Sequence, residues 1–103
     1  MKIVTEKQYR KDYVKVVKQG RNIDKLNYVI NKLVNNEKLE EKYRDHHLIG
    51  KYHVCRECHI EPDWILIYRL ENERLVLYLL RTGSHSDLFW VNNNCFAFVF
   101  IHI

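Results

Sequence analysis

Residues 59–89 read His59-Ile60-Glu61-Pro62-Asp63-Trp64-Ile65-Leu66-Ile67-Tyr68-Arg69-Leu70-Glu71-Asn72-Glu73-Arg74-Leu75-Val76-Leu77-Tyr78-Leu79-Leu80-Arg81-Thr82-Gly83-Ser84-His85-Ser86-Asp87-Leu88-Phe89. Two apolar runs, 64–70 and 75–80, are rich in the branched and aromatic side chains that strands favour. Glu61-Pro62-Asp63 and Glu71-Asn72-Glu73 supply turn chemistry before each, and Gly83-Ser84 supplies it after. Just upstream the pattern alternates. Tyr52, Val54, Arg56, Cys58 and Ile60 share one face; His53, Cys55, Glu57 and His59 share the other. Three successive strands with short connections predict an antiparallel meander.

The N-terminal half has a different period. Ile3 and Val4 suit a short first strand. Over 7–19, Tyr9, Tyr13, Val16 and Val17 recur at spacings of three and four, and Gly20 is placed to end a helix. Leu26, Val29, Ile30, Leu33 and Val34 predict a second helix, with Asn22 or Asp24 as its cap and Asn35-Asn36 as its stop. Residues 37–50 are polar and charged and read as a loop. Helices first and sheet after make an α+β domain: two N-terminal helices packed on a small antiparallel sheet.

At 103 residues there is room for one such domain. It is expected over residues 1–89. The remainder, 90–103, is an uncharged, aromatic segment entered through Asn92-Asn93-Asn94, an atypical hydrophobic extension that must pair with a sheet edge or be covered. No apolar run is long enough for a membrane span, and Met1–Lys7 lacks the apolar centre of a secretory signal, which points to the cytoplasm. Cys55, Cys58 and Cys95 are then reduced thiols. Residues 1–51 carry 13 Lys/Arg against 7 Asp/Glu, whereas 52–103 carry 4 against 6. A basic half suits a polyanion or an acidic protein.

Cys55-Arg56-Glu57-Cys58-His59 spells the attachment pattern of a c-type haem, but strand periodicity sends the two thiols to opposite faces and the only methionine is Met1. The same geometry weakens a zinc knuckle. A zinc site drawn from His46, His47, His53, His59 and Cys55 is the alternative chemistry of this region.

The histidines matter as a group. His46 lies in the loop before the sheet, His59 beside the first turn, and His85 after the last. Asp63 follows His59 by four residues. RNA is cut without a metal when its 2′-hydroxyl attacks the neighbouring phosphorus. One group removes the hydroxyl proton, another protonates the leaving 5′-oxygen, and a cation stabilises the transition state. Asp63 or a histidine can be the base, and a protonated histidine the acid. Arg81 can clamp the phosphate, and Phe89 can stack a base.

Three segments carry a resemblance. Lys42-Tyr43-Arg44-Asp45-His46-x-Leu48-x-Gly50, then Arg56-Glu57-x-His59-Ile60-Glu61-Pro62-Asp63-Trp64, then Arg81-Thr82-Gly83-Ser84-His85-Ser86-Asp87-Leu88-Phe89 are similar to the YafQ family of the RelE/ParE-like group, toxins of type II toxin–antitoxin systems. The resemblance spans residues 1–89. It implies a ribosome-dependent mRNA endonuclease (an mRNA interferase) without cofactor. Its partners would be a cognate antitoxin, the ribosome and translated mRNA, with DNA reached only through the antitoxin complex. Matched to the family's motifs, His46, His59, Asp63, His85 and Phe89 are the expected catalytic residues. Arg81 is the expected phosphate ligand, and Glu57 a supporting acid. His47 stands where the family often has proline, and the segment from Trp90 lies outside the pattern. The competing reading is a non-enzymatic module of the same fold that binds a protein target or only an antitoxin.

Overall fold

Both amphipathic stretches fold as their spacing predicts. The computed structural model describes residues 1–48, 55–71, 73 and 75–89, and of residue 89 the backbone alone. Helix α1 covers Lys7–Lys18 and buries Tyr9, Asp12 and Val16; helix α2 covers Ile23–Val34 and buries Leu26, Val29 and Leu33. Asn22 caps α2, its side chain accepting the Asp24 amide at 3.0 Å. Asn36, with φ of 60°, turns the chain out of the helix.

The strands are β1 (Lys2–Thr5), β2 (His46–His47), β3 (Cys55–Glu61), β4 (Trp64–Glu71) and β5 (Val76–Gly83), and a short helix α3 (His85–Phe89) follows. They form one sheet in the order β1-β5-β4-β3-β2. The expected meander is β3-β4-β5, antiparallel throughout. Its outer edge departs from expectation. β1 runs parallel to β5, with Lys2 facing Val76 and Thr5 facing Leu79, so the sheet is mixed. The Lys2 amide on the Leu75 carbonyl (2.9 Å) and the Glu6 amide on the Leu79 carbonyl (3.0 Å) fix that direction. A strand that enters before both helices and docks on an open edge can pair either way, so alternation alone could not settle it.

Two further corrections concern boundaries. The expected loop 37–50 contains a 3-10 turn at Glu41–Tyr43 and the two-residue strand β2. β5 runs three residues past Leu80, through Arg81, Thr82 and Gly83. The alternation read at Tyr52, His53 and Val54 and the extension 90–103 lie outside the described residues.

Each face of the sheet has its own core. One face, with Cys58, Ile60, Trp64, Leu66, Tyr68, Leu77 and Leu79, packs on α1 and α2. The other gathers Leu48, Cys55, Ile65, Ile67 and Leu88, with Leu80 against them. Cys55 and Cys58 therefore do lie on opposite faces. The site grows from the second, smaller core.

Candidate active site

Strand alternation puts Cys55, Glu57 and His59 together on the face away from α1 and α2. Neighbouring elements complete the group. In β2, His46 faces Glu57 directly, so both side chains rise from the same face. In β4, Ile65 faces His59 and also faces Gly83 of β5, which makes a row across the sheet. His85 stands two residues past Gly83, as the first residue of α3.

Gly83 makes that last step possible. Its φ of +153° is one that side chains other than hydrogen rarely adopt, and an added Cβ would meet Leu88 Cδ2 at 3.4 Å. Ser84 then caps the short helix, its Oγ accepting the Asp87 amide at 3.0 Å. The Asp87 side chain ties α3 to α1, 3.1 Å from Lys15 Nζ and within reach of Gln19 Nε2 at 3.3 Å. Burial pulls the Asp87 carboxyl upward, but the hydrogen bonds from Lys15, Gln19 and Ser84 outweigh it and hold it below its ordinary value.

The result is a buried carboxylate ringed by imidazoles. Glu57 is 1% exposed. Its Oε1 lies 3.2 Å from His85 Nε2 and 3.4 Å from His59 Nε2, and its Oε2 lies 3.8 Å from His46 Nε2. The rings of His59 and His85 are 5.5 Å apart. The side chains of His46 and His85 are 48% and 37% exposed, and that of His59 only 15%. Two accessible imidazoles thus flank a more enclosed third.

Hydrogen-bond partners sort the ring nitrogens. The Arg44 carbonyl can only accept, and His46 Nδ1 is 2.6 Å from it, so Nδ1 carries the proton and Nε2 faces the cleft. His59 Nδ1 is 3.4 Å from the Pro62 carbonyl while its Nε2 faces Glu57, so both of its nitrogens face acceptors.

The loop bearing His46 is anchored from beneath. Arg56 donates to both oxygens of Asp45, at 3.2 and 3.1 Å, and the Tyr68 hydroxyl donates to Asp45 Oδ1. Burial first, then Asp45, raises the Tyr68 hydroxyl far above its ordinary value, so it remains a donor. Arg56 loses by burial but is held charged by Asp45 and Tyr68. Arg44, between Asp45 and the 3-10 turn, has φ of 48°, which turns its carbonyl back onto His46.

Of the expected residues, His46, His59 and His85 come together, with Glu57 at their centre rather than at their margin. Asp63 sits in the turn between β3 and β4, at the same end of the sheet; its side chain is 75% exposed and pairs with Arg21 Nη1 at 3.5 Å. The backbone of Phe89 closes α3, and its side chain lies outside the described residues. Arg81 is a correction. It is buried, with Nε and Nη2 at 2.5 and 3.0 Å from the carboxylate of Asp12 on α1. The Thr82 amide joins the same carboxylate at 3.2 Å. A guanidinium enclosed against a helix cannot clamp a substrate phosphate. Of the zinc set drawn from His46, His47, His53, His59 and Cys55, His53 lies outside the described residues; among the described residues it is Glu57, His59 and His85 whose ligand atoms lie within 4.8 Å of one another.

The central place of Glu57 and the Asp45–Arg56–Tyr68 anchor go beyond what the sequence pattern marks. The pattern does put Glu57 with His59, since an acid at i−2 from a strand histidine shares its face. The anchor joins residues 11 to 23 positions apart, and no local pattern marks it.

The profile of a family described as "Bacterial toxin of type II toxin-antitoxin system, YafQ" matches residues 1–90. The chain belongs to the YafQ toxin family. An mRNA interferase toxin YafQ of Escherichia coli K12 is 42% identical over 83 residues, covering 80% of this chain and 88% of the relative. A putative toxin YafQ of Haemophilus influenzae is 33% identical over 92 residues, covering 84% and 90%. Among solved structures, a copper-bound mutant toxin from Helicobacter pylori matches with TM-score 0.80 at 42% identity, over 86% of this chain and 99% of the other. The toxin of the E. coli DinJ–YafQ complex matches with TM-score 0.78 at 39% identity, over 84% and 96%. The family and the fold expected from the motifs both stand.

Proposed function

We propose that this YafQ toxin cuts translated mRNA on the ribosome by metal-free proton transfer between histidines. As a toxin of this family it is an endoribonuclease, an mRNA interferase. The observation that carries the mechanism is the buried Glu57 carboxylate with three imidazole Nε2 atoms at 3.2 to 3.8 Å.

In-line displacement at phosphorus puts the attacking and leaving oxygens on opposite sides. His46 and His85 approach Glu57 from opposite flanks, which suits that demand. His46, with Nδ1 protonated by the Arg44 carbonyl contact, offers Nε2 as the base for the 2′-hydroxyl. His85 returns a proton to the 5′-oxygen. His59, with both nitrogens facing acceptors, stands beside these two as the remaining imidazole that the phosphate meets. Each proton transfer would contribute about 10²–10⁴-fold. Asp63 and Phe89 belong to the same proposal as rim contacts to the substrate, and Glu57 as the group that orients the rings. A cognate antitoxin, as DinJ is for the E. coli toxin, would hold the protein inactive. The work would be done in the cytoplasm, where ribosomes are; among the described residues no helix is long and apolar enough to cross a membrane.

The test is 5′-end mapping of cellular mRNA after brief induction without antitoxin. Cuts in translated frames are expected; His85→Ala protein should fold and bind antitoxin yet leave mRNA whole, and Asp63→Ala, which removes a rim contact, should weaken cutting without abolishing it. Growth arrest with intact mRNA would instead favour a binding module that acts on a protein.

The 4.8 Å cluster favours a second reading of the same atoms. Two imidazoles and a carboxylate suit copper or zinc, and a mutant toxin from H. pylori with this fold is copper-bound. A metal there would occupy His59 and His85 and silence the acid. Cutting in vitro should fall on adding stoichiometric copper and return with a chelator; undiminished cutting would remove this reading.

A further inference from the structure

The geometry points to a second substrate site beside the imidazoles: a basic groove that holds the phosphate of a nucleotide neighbouring the one being cut. This rests on the nuclease reading and names how its substrate is held.

The groove is an open cavity of about 500 Å³, in the range that takes a small ligand or one nucleotide. Its lining includes Lys25, Lys42, Arg44, His59, Glu61 and Pro62. His59 is therefore a shared wall, one side toward Glu57 and the other toward the groove. A single strand whose scissile phosphate lies at the imidazoles must leave along the surface, and this groove adjoins that point.

Only part of its charge is spent internally. Glu61 is taken by Lys25 Nζ at 2.8 Å and Arg21 Nη1 at 3.7 Å. Lys42 and Arg44 are exposed, and neither has an ion pair among the described residues; Lys42 rests over the Tyr43 ring at 5.2 Å. Arg44 is also fixed in place by its left-handed backbone, and its carbonyl is the atom that orients His46. The residue that aims the base thus carries the cation that meets the next phosphate. Lys42 adds a point charge and Arg44 a fork suited to phosphate oxygens. An acidic protein segment would also seek these cations, but the shared His59 wall ties the groove to the strand being cut.

The test separates this site from catalysis by using a short single strand that cannot be cut, with 2′-O-methyl groups at every position. Binding to the full chain is followed by fluorescence anisotropy between about 50 and 200 mM salt, the range in which phosphate contacts weaken steeply. Lys42→Gln/Arg44→Gln is compared with Lys7→Gln/Lys18→Gln, which removes the same charge from the exposed side of α1. The first pair should lower the dependence of log affinity on log salt by about 0.7, the value for one single-strand phosphate that is no longer neutralised. The second should leave it unchanged. Lys42→Arg/Arg44→Lys should retain most of the slope. Equal decreases in both neutralised pairs would mean bulk charge and would overturn the proposal. So would unchanged RNA binding with weakened antitoxin binding, which would make the groove a protein-docking surface. Because nothing is cut in this assay, failure to find cuts in cells would sink the nuclease reading without touching the binding result. In cleavage assays the effect of Lys42→Gln alone should fall on KM and spare kcat, since the phosphate it holds is not the one being broken.

Discussion

Glu57 is the residue on which the histidines depend, and its substitution separates orientation from proton transfer. Glu57→Gln keeps the volume and an oxygen acceptor but removes the charge shared by three rings. Cutting should fall about 10- to 100-fold, the usual cost when a histidine loses its orienting carboxylate, with antitoxin binding intact. The flanking histidines should then divide the pH profile of cutting. A base must be unprotonated, so activity rises with pH on the acid limb; an acid must be protonated, so activity falls on the alkaline limb. His46→Gln should flatten the acid limb and His85→Gln the alkaline limb of what residual activity remains. Loss of the same limb by both variants would show that the roles are not split between the flanks.

At the scale of elements, the site is set by two short connectors. One is the Gly83-Ser84 step from β5 to α3. Gly83→Ala forces a side chain into a φ of +153° and against Leu88, at a cost of about 1–3 kcal/mol. The strain falls beside His85, so cutting should drop by more than the fraction unfolded accounts for; thermal melting and cutting measured on one preparation decide it. The other is the loop anchored by Asp45. Tyr68→Phe should lower stability by about 1.5–3 kcal/mol, the range for a hydrogen bond to a charged group, and weaken cutting through His46 while leaving antitoxin affinity alone. The Asp87 tether of α3 has a pH sense of its own. Its carboxyl is held below the ordinary value, so this contribution is complete above about pH 4. It is lost only as pH falls through the lower folded value. These connectors also show what a sequence can reveal. The helices and the three long strands were legible because each repeats a period over many residues. β2, α3 and the parallel docking of β1 were not, because such short elements carry no period and an edge strand's direction is set by distant backbone partners. The three histidines were legible as a set through their positions at turn and strand ends. Arg81 was misread because its sequence neighbours say nothing of Asp12, 69 residues away.

At the scale of the whole molecule, that same long-range pair joins the helical layer to the sheet. Asp12 occupies the buried stripe of α1 between Tyr9 and Val16, where a spacing argument expects an apolar side chain. It accepts from Arg81 and from the Thr82 amide, and Thr82 in turn accepts the Trp64 indole N–H at 2.9 Å and donates to the Ile65 carbonyl at 2.9 Å. A chain of polar contacts thus runs from α1 through β5 to β4, beneath the row that carries His59 and His85. Removing one partner of such a pair leaves a buried charge and should cost about 3–5 kcal/mol. Arg81→Ala and Asp12→Ala should both lower Tm, while Arg81→Met with Asp12→Leu, which removes both charges together, should recover much of the stability. If Arg81 acted on the substrate, the double variant would melt like the native protein yet fail to cut. Recovery of cutting in step with Tm is the expected result, and it would make the Asp12–Arg81 pair a part of the frame that holds the imidazoles in register.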